Sequence, residues 1–439
     1  MKISNRSVNI IIISIYIITL LCGVGTIISN EAIDMIRKVL ILVLPFLINI
    51  SIVIDNKGCI DFNKYKPYII FIILNISWYI LSILFGINKG IYNLVGLYNF
   101  TNILVLLFLI TKIEIDNKTK KKIINAFIYS ALVSCVYGII EYVFKIDLNT
   151  FANSKYPGIF GRVSSTFFLP TLFDKYAVLL FSFISYISFK NDKLLYKIVM
   201  LLLGINVTLT FSRGGFIALV LVFIVYSIYS IINKKYINII IPVLTFVISF
   251  LIPGYIYFFQ ANLNYGYNKL HIPENLRIAF VDEIEETDKI YDSADDSSLE
   301  YRKYYNSVGL EIIKEKPIIG IGLNNYSYIY NNQNISNYLK DSSVLIEGLP
   351  YMYPHNGYIQ MASEIGVTGL LLFISYVVYI MYDSIKNKKS FKYYGILILI
   401  VFLLGNLTES LIYNKQYMYI FVILYGILNN TEVLKKKKK

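Results

Sequence analysis

The sequence predicts an all-α polytopic membrane protein with about twelve transmembrane helices. Of its 439 residues, 56% are hydrophobic and 16% are charged, whereas soluble proteins carry about a quarter charged residues. Apolar runs of about 17–25 residues recur along the whole length, and each is long enough to cross a bilayer. These runs lack the period-2 alternation of a membrane barrel. A helix bundle is then the structure that satisfies the backbone hydrogen bonds in lipid.

The predicted spans follow the apolar runs in chain order. The first run, Val8–Ile28, has no small-residue cleavage site and is too long for the apolar part of a signal peptide. We therefore expect it to be a membrane helix. The twelve spans lie at about 8–28, 35–54, 68–86, 91–110, 123–144, 171–189, 194–211, 214–232, 237–259, 357–382, 393–409 and 416–430.

The lysines predict how these spans are oriented. Alternate connections carry most of them, and the connections between carry few: Lys2, Lys57, Lys64, Lys66, Lys112, Lys118, Lys120, Lys121, Lys122, Lys190, Lys193, Lys234, Lys235, Lys386, Lys388, Lys389, Lys392 and the terminal run Lys435–Lys439. By the positive-inside rule, both termini are cytoplasmic. The same distribution accounts for the net charge of +13, so we do not expect nucleic acid as a partner.

The spacing of the spans divides the chain into three parts. Residues 1–259 hold transmembrane helices 1–9. Residues 260–356 form an extracytoplasmic loop with an amphipathic helix. Residues 357–439 hold helices 10–12 and a basic cytoplasmic tail. A loop of this length predicts a lid, a small domain or a substrate-binding segment. No internal repeat is evident, which disfavours a transporter built from repeated halves.

The amphipathic helix is predicted over Leu299–Lys314 and lies on the membrane or over the functional site. Its apolar residues recur at helical spacing, and packing is the preferred role for them: Tyr301, Tyr304, Tyr305, Val308 and Ile312. Such a helix would set the position of Arg302.

Metal and cofactor chemistry is not indicated. Cys22, Cys59 and Cys135 lack metal-ligand spacing and are interpreted as free, structural thiols. The acidic run Asp282–Asp296 lacks the glycine-turn spacing of a calcium loop, so a solvated linker is favoured. Gly320–Gly322 is too short for a phosphate-binding loop, and a turn is predicted there.

The arginines are distributed against the positive-inside trend. Among the 41 basic residues there are six arginines. Arg6 is on the predicted inner side, and the other five are on the outer side or at its edge: Arg37, Arg162, Arg213, Arg277 and Arg302. The planar arginine fork grips phosphate or carboxylate oxygens in pairs. Rare arginines on the outer face therefore predict a bound anionic group, with a lipid diphosphate as the obvious candidate.

Structural roles remain open for several of these arginines. Arg37 is interpreted as an interfacial anchor and Arg277 as a surface ion pair. Arg162 follows a Gly-rich loop, and function and structure are equally favoured there. Arg213 stands in Thr208–Gly215 between two apolar runs, where charge is costly unless it is paired or used. For Arg213, a functional role is preferred over a role in holding helices together. The two glycines that follow it allow a tight turn and close backbone approach.

His355, in Pro354–Tyr358 at the mouth of a predicted span, is one of only two histidines. Asn356 can cap the following helix, which puts His355 at the positive end of the helix dipole. A neutral ring there can accept a proton, although His355 could merely hydrogen-bond the loop. Glu364 is nine residues on, about 13 Å along a helix, so direct pairing with His355 is not expected. Glu364 contacts an arginine, the acceptor sugar or another span, and Glu409 has the same alternatives.

Three motifs in this order resemble the O-antigen ligase and polymerase family. They are Thr210–Gly215, Arg302 followed by Lys316–Asn325, and His355-Asn356 followed by Glu364–Gly369. The resemblance spans roughly residues 155–375. It implies a metal-independent membrane glycosyltransferase-type bundle without a cofactor, acting on glycans carried by undecaprenyl diphosphate. By position, Arg213 and Arg302 resemble the diphosphate-binding arginines and His355 the catalytic histidine. Arg162, Glu364 and Asn356 are candidates for substrate binding.

The predicted function is polymerisation of undecaprenyl-diphosphate-linked oligosaccharide repeat units at the outer face of the cytoplasmic membrane. Capsule, exopolysaccharide or O-antigen synthesis would use such an enzyme. A ligase that moves the finished glycan to another acceptor is the first alternative. A flippase or transporter of lipid-linked glycans is the second. Membrane lipid, a donor and an acceptor glycan, a flippase and a chain-length regulator are the expected partners.

Overall fold

Helices account for most of the chain that the structure describes, which confirms the all-α fold class. The computed structural model describes residues 1–21, 31–58, 60–144, 162–167, 169–251, 302–303, 305–326, 353–387 and 392–429, and no strand occurs among them. The predicted acidic linker, His271, Arg277, Cys22 and Cys59 lie outside these residues.

The helices of the described chain are numbered in order. They are α1 (Asn5–Tyr16, continued by a π-helical turn over Ile17–Leu21), α2 (Glu31–Asp55), α3 (Lys66–Leu84), α4 (Ile91–Lys112), α5 (Asn117–Phe144), α6 (Pro170–Lys190), α7 (Leu194–Leu209), α8 (Arg213–Ile232), α9 (Ile240–Leu251, after a 3₁₀ turn over Tyr236–Ile239), α10 (305–315), α11 (Gly357–Asn387), α12 (Lys392–Thr408) and α13 (Lys415–Asn429).

Among the described residues, seven helical segments are long and apolar enough to cross a membrane, so the protein is a multi-pass membrane protein. They are Met35–Asp55, Lys66–Leu84, Ile91–Lys112, Asn117–Phe144, Pro170–Phe189, Arg213–Ile232 and Gly357–Lys386. Shorter apolar helices occupy the other predicted intervals: Asn5–Leu20, Leu194–Leu209, Tyr236–Ile248 and Leu397–Thr408, with Lys415–Asn429 at the last one. The count of twelve spans and the three-part division stay predictions.

The local sequence determines where helices α6 and α8 begin. Pro170 opens α6, where the missing N–H of proline costs no hydrogen bond. Ser212 caps α8 by accepting a hydrogen bond from the Gly215 N–H at 3.4 Å. In the interior, α13 is buried from Gln416 to Asn429, and α6 is buried along nearly its whole span. These two helices form the centre of the bundle.

The two ends of the bundle carry different chemistry. At one end, Lys112 pairs with Asp383, and Lys235 donates a hydrogen bond to the Phe189 carbonyl at 2.7 Å. The starts of α6, α8 and α11 and the ends of α7 and α12 meet at the other end, which is called the site end below. On the predicted topology, the site end is the outer side.

Helix α10 lies at the site end, and a helix was predicted over these residues. Tyr305, Val308 and Ile312 on its apolar stripe are buried, which confirms packing as their role. A Cβ built on Gly309 would lie 2.5 Å from Ile359 in α11, so α10 rests directly on the beginning of that helix. Gly320 and Gly322 have positive φ angles of 74° and 107°, which confirms the predicted turn.

Candidate active site

His355 lies beside the first turn of α11, as the sequence predicts. The Asn356 side-chain oxygen accepts hydrogen bonds from the backbone N–H groups of Tyr358 at 3.0 Å and Ile359 at 3.2 Å. This confirms Asn356 as the helix cap. The cap fixes the chain direction at His355, whose side chain is 26% exposed. The ring is therefore held at the helix N-terminus while remaining accessible.

Glu409 is the principal partner of His355. Its Oε2 lies 3.0 Å from the His355 Nδ1, and its Oε1 accepts a hydrogen bond from the Arg302 Nη2 at 3.5 Å. The Glu409 side chain is only 12% exposed. One carboxylate thus bridges a histidine and an arginine, and these three residues come from three separate parts of the chain.

The end of α12 holds the histidine segment against Glu409. The Ser410 hydroxyl donates to the Pro354 carbonyl, and the Tyr358 hydroxyl donates to the Leu403 carbonyl at 3.1 Å. A Cβ on Gly357 would lie 2.5 Å from the Asn406 Oδ1, so a larger residue there would have to displace the Asn406 amide. These contacts place His355 and Glu409 on adjoining helix ends.

The charges around Glu409 favour its ionised form. Burial alone would raise the pKa of this carboxyl. The positive charges at His355, Arg302 and Lys175, with the hydrogen bond to His355, instead lower the pKa of Glu409 to about 2. The carboxylate is therefore ionised at neutral pH. When the His355 ring is neutral, its hydrogen bond to this carboxylate favours the tautomer that carries the proton on Nδ1. The His355 Nε2 is then left as an acceptor.

The Arg213 motif begins α8 against a buried ion pair on α6. A Cβ on Gly214 would lie 3.0 Å from both the Lys175 Nζ and the Thr408 Oγ1. A Cβ on Gly215 would lie 2.6 Å from the Cβ of Asp174. The close backbone approach predicted for these glycines is therefore made toward neighbouring helices. Because Thr408 precedes Glu409, the start of α8 adjoins the His355 and Arg302 site.

Arg162 belongs to the same end of the bundle. Its Nε donates a hydrogen bond to the Thr210 carbonyl at 2.8 Å, and the Val163 N–H donates to the Leu209 carbonyl at 3.1 Å. Arg162 thus braces the connection that precedes Arg213. This contact is structural, and a substrate-binding role for Arg162 stays a prediction.

Glu364 lies away from His355, as its spacing predicts. It is buried, and its carboxylate accepts hydrogen bonds from the backbone N–H groups of Asn324 at 2.6 Å and Tyr326 at 3.3 Å. The Gln360 amide adds a longer one at 3.4 Å. Glu364 therefore holds the segment that follows α10. Its predicted contact with an acceptor sugar is not tested by these bonds.

A kink in α11 receives the same segment. Gly366 has φ 73° within the helix, and the Val367 N–H turns to the Pro317 carbonyl at 2.8 Å. The Gly322 N–H donates to the Glu364 carbonyl at 2.8 Å. The turn sequence of the second motif thus connects α10 to α11. Through these hydrogen bonds, α11 fixes the position of α10, the helix next to Arg302.

Sequence reasoning missed the buried pair Asp174 and Lys175. Lys175 Nζ lies 2.9 Å from Asp174 Oδ2, and the two side chains are 2% and 0% exposed. A usable signal was present, because two opposite charges stand within the predicted span 171–189. The link between Glu409 and His355, which are 54 positions apart, left no signal in local spacing.

Among the described residues, no three His, Cys, Asp or Glu side chains are grouped so that they could hold a metal ion. Cys135 is buried as a free thiol in α5, in agreement with the structural role predicted for it. Arg302 contacts Glu409 in the site and Arg213 begins the adjoining helix α8, and anion binding by either arginine stays a prediction.

Comparison with known protein families gives a match to part of the chain. A sequence model of the family described as O-antigen ligase matches residues 198–374. Arg213, Arg302 and His355 lie inside the matched region, whereas Lys175 and Glu409 lie outside it. Among curated proteins, none matches this chain significantly. The resemblance inferred from the three motifs is therefore supported by an independent comparison.

Proposed function

Because a sequence model of the O-antigen ligase family matches residues 198–374, we propose that the chain is a metal-independent glycosyltransferase of lipid-linked glycans. Its specific activity would be polymerisation of undecaprenyl-diphosphate-linked oligosaccharide repeat units. The site end of the bundle would face the outside of the cytoplasmic membrane, with both termini inside. The observation that carries the proposal is the contact of His355 and Arg302 with one ionised carboxylate, Glu409.

The acceptor half of the reaction needs a base. A sugar hydroxyl would approach the His355 Nε2 and transfer its proton there as its oxygen attacks the anomeric carbon of the donor glycan. Glu409 supports this role because its carboxylate orients the ring and stabilises the imidazolium that forms. The arrangement follows the general logic of a base oriented by a buried acid.

The donor half of the reaction needs charge stabilisation. The bond between the anomeric carbon and the diphosphate oxygen breaks, and the electron pair leaves with the lipid diphosphate. Arg302 and Arg213 would neutralise the developing negative charge on this group, which is the largest type of catalytic contribution in such sites. Arg302 is 34% exposed and held to Glu409 by a long 3.5 Å hydrogen bond, so a diphosphate can compete for it.

The test is transfer by purified full-length protein in liposomes that contain a purified lipid-linked repeat unit. Wild type should lengthen the glycan. His355→Ala and Arg213→Ala should lower the rate by at least about 100-fold, the usual contribution of a positioned base or charge. Full-length polymer from His355→Ala would overturn the catalytic assignment.

The same assay separates the remaining alternatives. Transfer of the glycan to an acceptor other than a second lipid-linked glycan, without any lengthening of the glycan itself, would identify a ligase. Glycan that crosses the bilayer without any new bond would identify a flippase. Labelled repeat units placed in only one leaflet distinguish a flippase from a transferase. Transfer at the outer face does not require the repeat unit to cross the bilayer.

A further inference from the structure

We infer that Lys175 and Asp174 are positioning residues for the proposed transfer reaction, and that they act through Glu409. Lys175 would keep the Glu409 carboxylate directed at His355, and Asp174 would hold Lys175 in place. The inference rests on the proposed function. It assigns a role to two residues that lie outside the family match of 198–374.

The pair is costly to bury, and helix packing does not account for it. Lys175 and Asp174 are 2% and 0% exposed, and removing two charges from water costs several kcal/mol for each ion in general. The two side chains contact neighbouring helices, but their salt bridge joins consecutive residues of one helix, α6, so the salt bridge itself links no two helices. A pair that served as packing glue would be expected to bridge neighbouring helices.

The Lys175 side chain points to the junction of three helices. Its stem passes α12, where a Cβ on Gly405 would lie 3.7 Å from the Lys175 Cδ. Its ammonium reaches the start of α8, 3.0 Å from the position of a Cβ on Gly214. The same point on Gly214 is 3.0 Å from Thr408, the residue before Glu409. The Lys175 ammonium group therefore lies near Thr408, the residue immediately before Glu409.

Asp174 makes this position tenable for a cation. The start of α8 carries the positive end of the helix dipole and Arg213, which would both repel an ammonium group. The Asp174 carboxylate lies between, bonded to Lys175 at 2.9 Å and packed on Gly215. A carboxylate is favourable at a helix N-terminus, so Asp174 satisfies α8 and Lys175 together.

Lys175 differs from the other two cations around Glu409. His355 must accept and release a proton, and Arg302 must meet the diphosphate, so both change their relation to Glu409 during a reaction cycle. Lys175 is buried and meets neither substrate in this arrangement. Its charge is among those that keep Glu409 ionised. It is thus the constant partner that keeps the carboxylate on His355 when Arg302 turns to the donor.

The kinetic test compares Lys175→Met, Lys175→Arg and Asp174→Asn in the reconstituted full-length protein. Lys175→Met should lower kcat by roughly 10-fold to 100-fold, a fraction of what a general base contributes. The KM for the lipid-linked donor should change by less than about threefold, since Lys175 does not bind it. Lys175→Arg should keep most of the activity because it keeps the charge. Lys120→Met, at a lysine that is 4% exposed at the opposite end of the bundle, is the matched control.

The double variant Lys175→Met with Glu409→Gln decides whether Lys175 acts through Glu409. If it does, the double variant should be no slower than Glu409→Gln alone, and the losses of thermal stability should also be less than additive. A raised donor KM with unchanged kcat would overturn the inference in favour of direct anion binding. Independent, multiplicative losses would overturn it as well.

Failure of this inference can be told apart from failure of the proposed function. A wild-type protein that transfers no glycan would refute the proposed function. The thermal coupling between Lys175 and Glu409 would still be measurable, and additive stability losses would then refute the positioning role. If Lys175→Met does not fold, Asp174→Asn and Lys175→Arg provide the same comparison with smaller changes in shape.

Discussion

Glu409→Gln removes one negative charge from the site while keeping the size and the hydrogen-bonding shape of the side chain. In the folded protein, the pKa of the Glu409 carboxyl is lowered from 4.5 to about 2, despite a burial that would raise it. The difference corresponds to about 3 kcal/mol, at about 1.4 kcal/mol for each pKa unit. Because the pKa is lower in the folded than in the unfolded chain, the ionised form stabilises the fold.

The sign of the pH dependence follows from that direction. The stabilisation by Glu409 is complete above the ordinary pKa of 4.5 and is lost as the pH falls from there toward about 2. Wild type should therefore be more stable than Glu409→Gln by about 3 kcal/mol at neutral pH. The difference should already shrink between pH 4.5 and pH 3, and the two proteins should converge as the pH falls to about 2.

The assay is thermal or denaturant unfolding of the detergent-solubilised full-length protein at a series of pH values. Glu311→Gln is the matched control, because Glu311 forms a surface pair with Lys314 in α10. Exposed pairs contribute roughly 0–1 kcal/mol. A wild-type advantage over Glu409→Gln that stays constant from pH 7 to pH 3 would refute the electrostatic account of the site.

The other predictions concern backbone contacts and the helix cap. Gly215→Ala should lower the folded yield strongly, since its Cβ would lie 2.6 Å from the Cβ of Asp174; a wild-type melting curve for this variant would contradict the close helix contact. Gly366→Ala should also destabilise the protein, because φ is 73° there and a Cβ would lie 2.7 Å from the Ile319 backbone nitrogen; size-exclusion chromatography and thermal unfolding report the loss. Asn356→Ala should cost about 1 kcal/mol of stability through the lost cap and should reduce transfer more than a Gly substitution does, which side-by-side kinetics of the two variants would check.

Much of the fold could be predicted from the sequence, because membrane helices are specified locally. Each apolar run is long enough to satisfy its own backbone hydrogen bonds in lipid, so helix positions depend little on distant residues. The apolar stripe of α10 and the turn at Gly320 to Gly322 were likewise readable from helical spacing and glycine content. The kink at Gly366 was not, since it depends on the segment from Pro317 that packs into it.

The site was predictable only in part. His355, Arg213 and Arg302 stood out because their residue types are rare in this chain and lie in unusual places for charge. The cap at Asn356 followed from its position one residue before the helix. The roles of Glu364 and Glu409 stayed open, because a lone carboxylate gives no indication of which distant partner it meets.

The sequence by itself determined the helical membrane class and the identity of the rare charged side chains, since hydrophobic length and residue chemistry are properties of short segments. Only the tertiary structure decided which of those charges meet. It brought Glu409 from the end of α12 to His355 and Arg302, and it directed Lys175 from α6 to the same junction. Electrostatic contacts act over a few ångströms in space, and positions separated by 54 to 107 residues come within that range only when the helices pack.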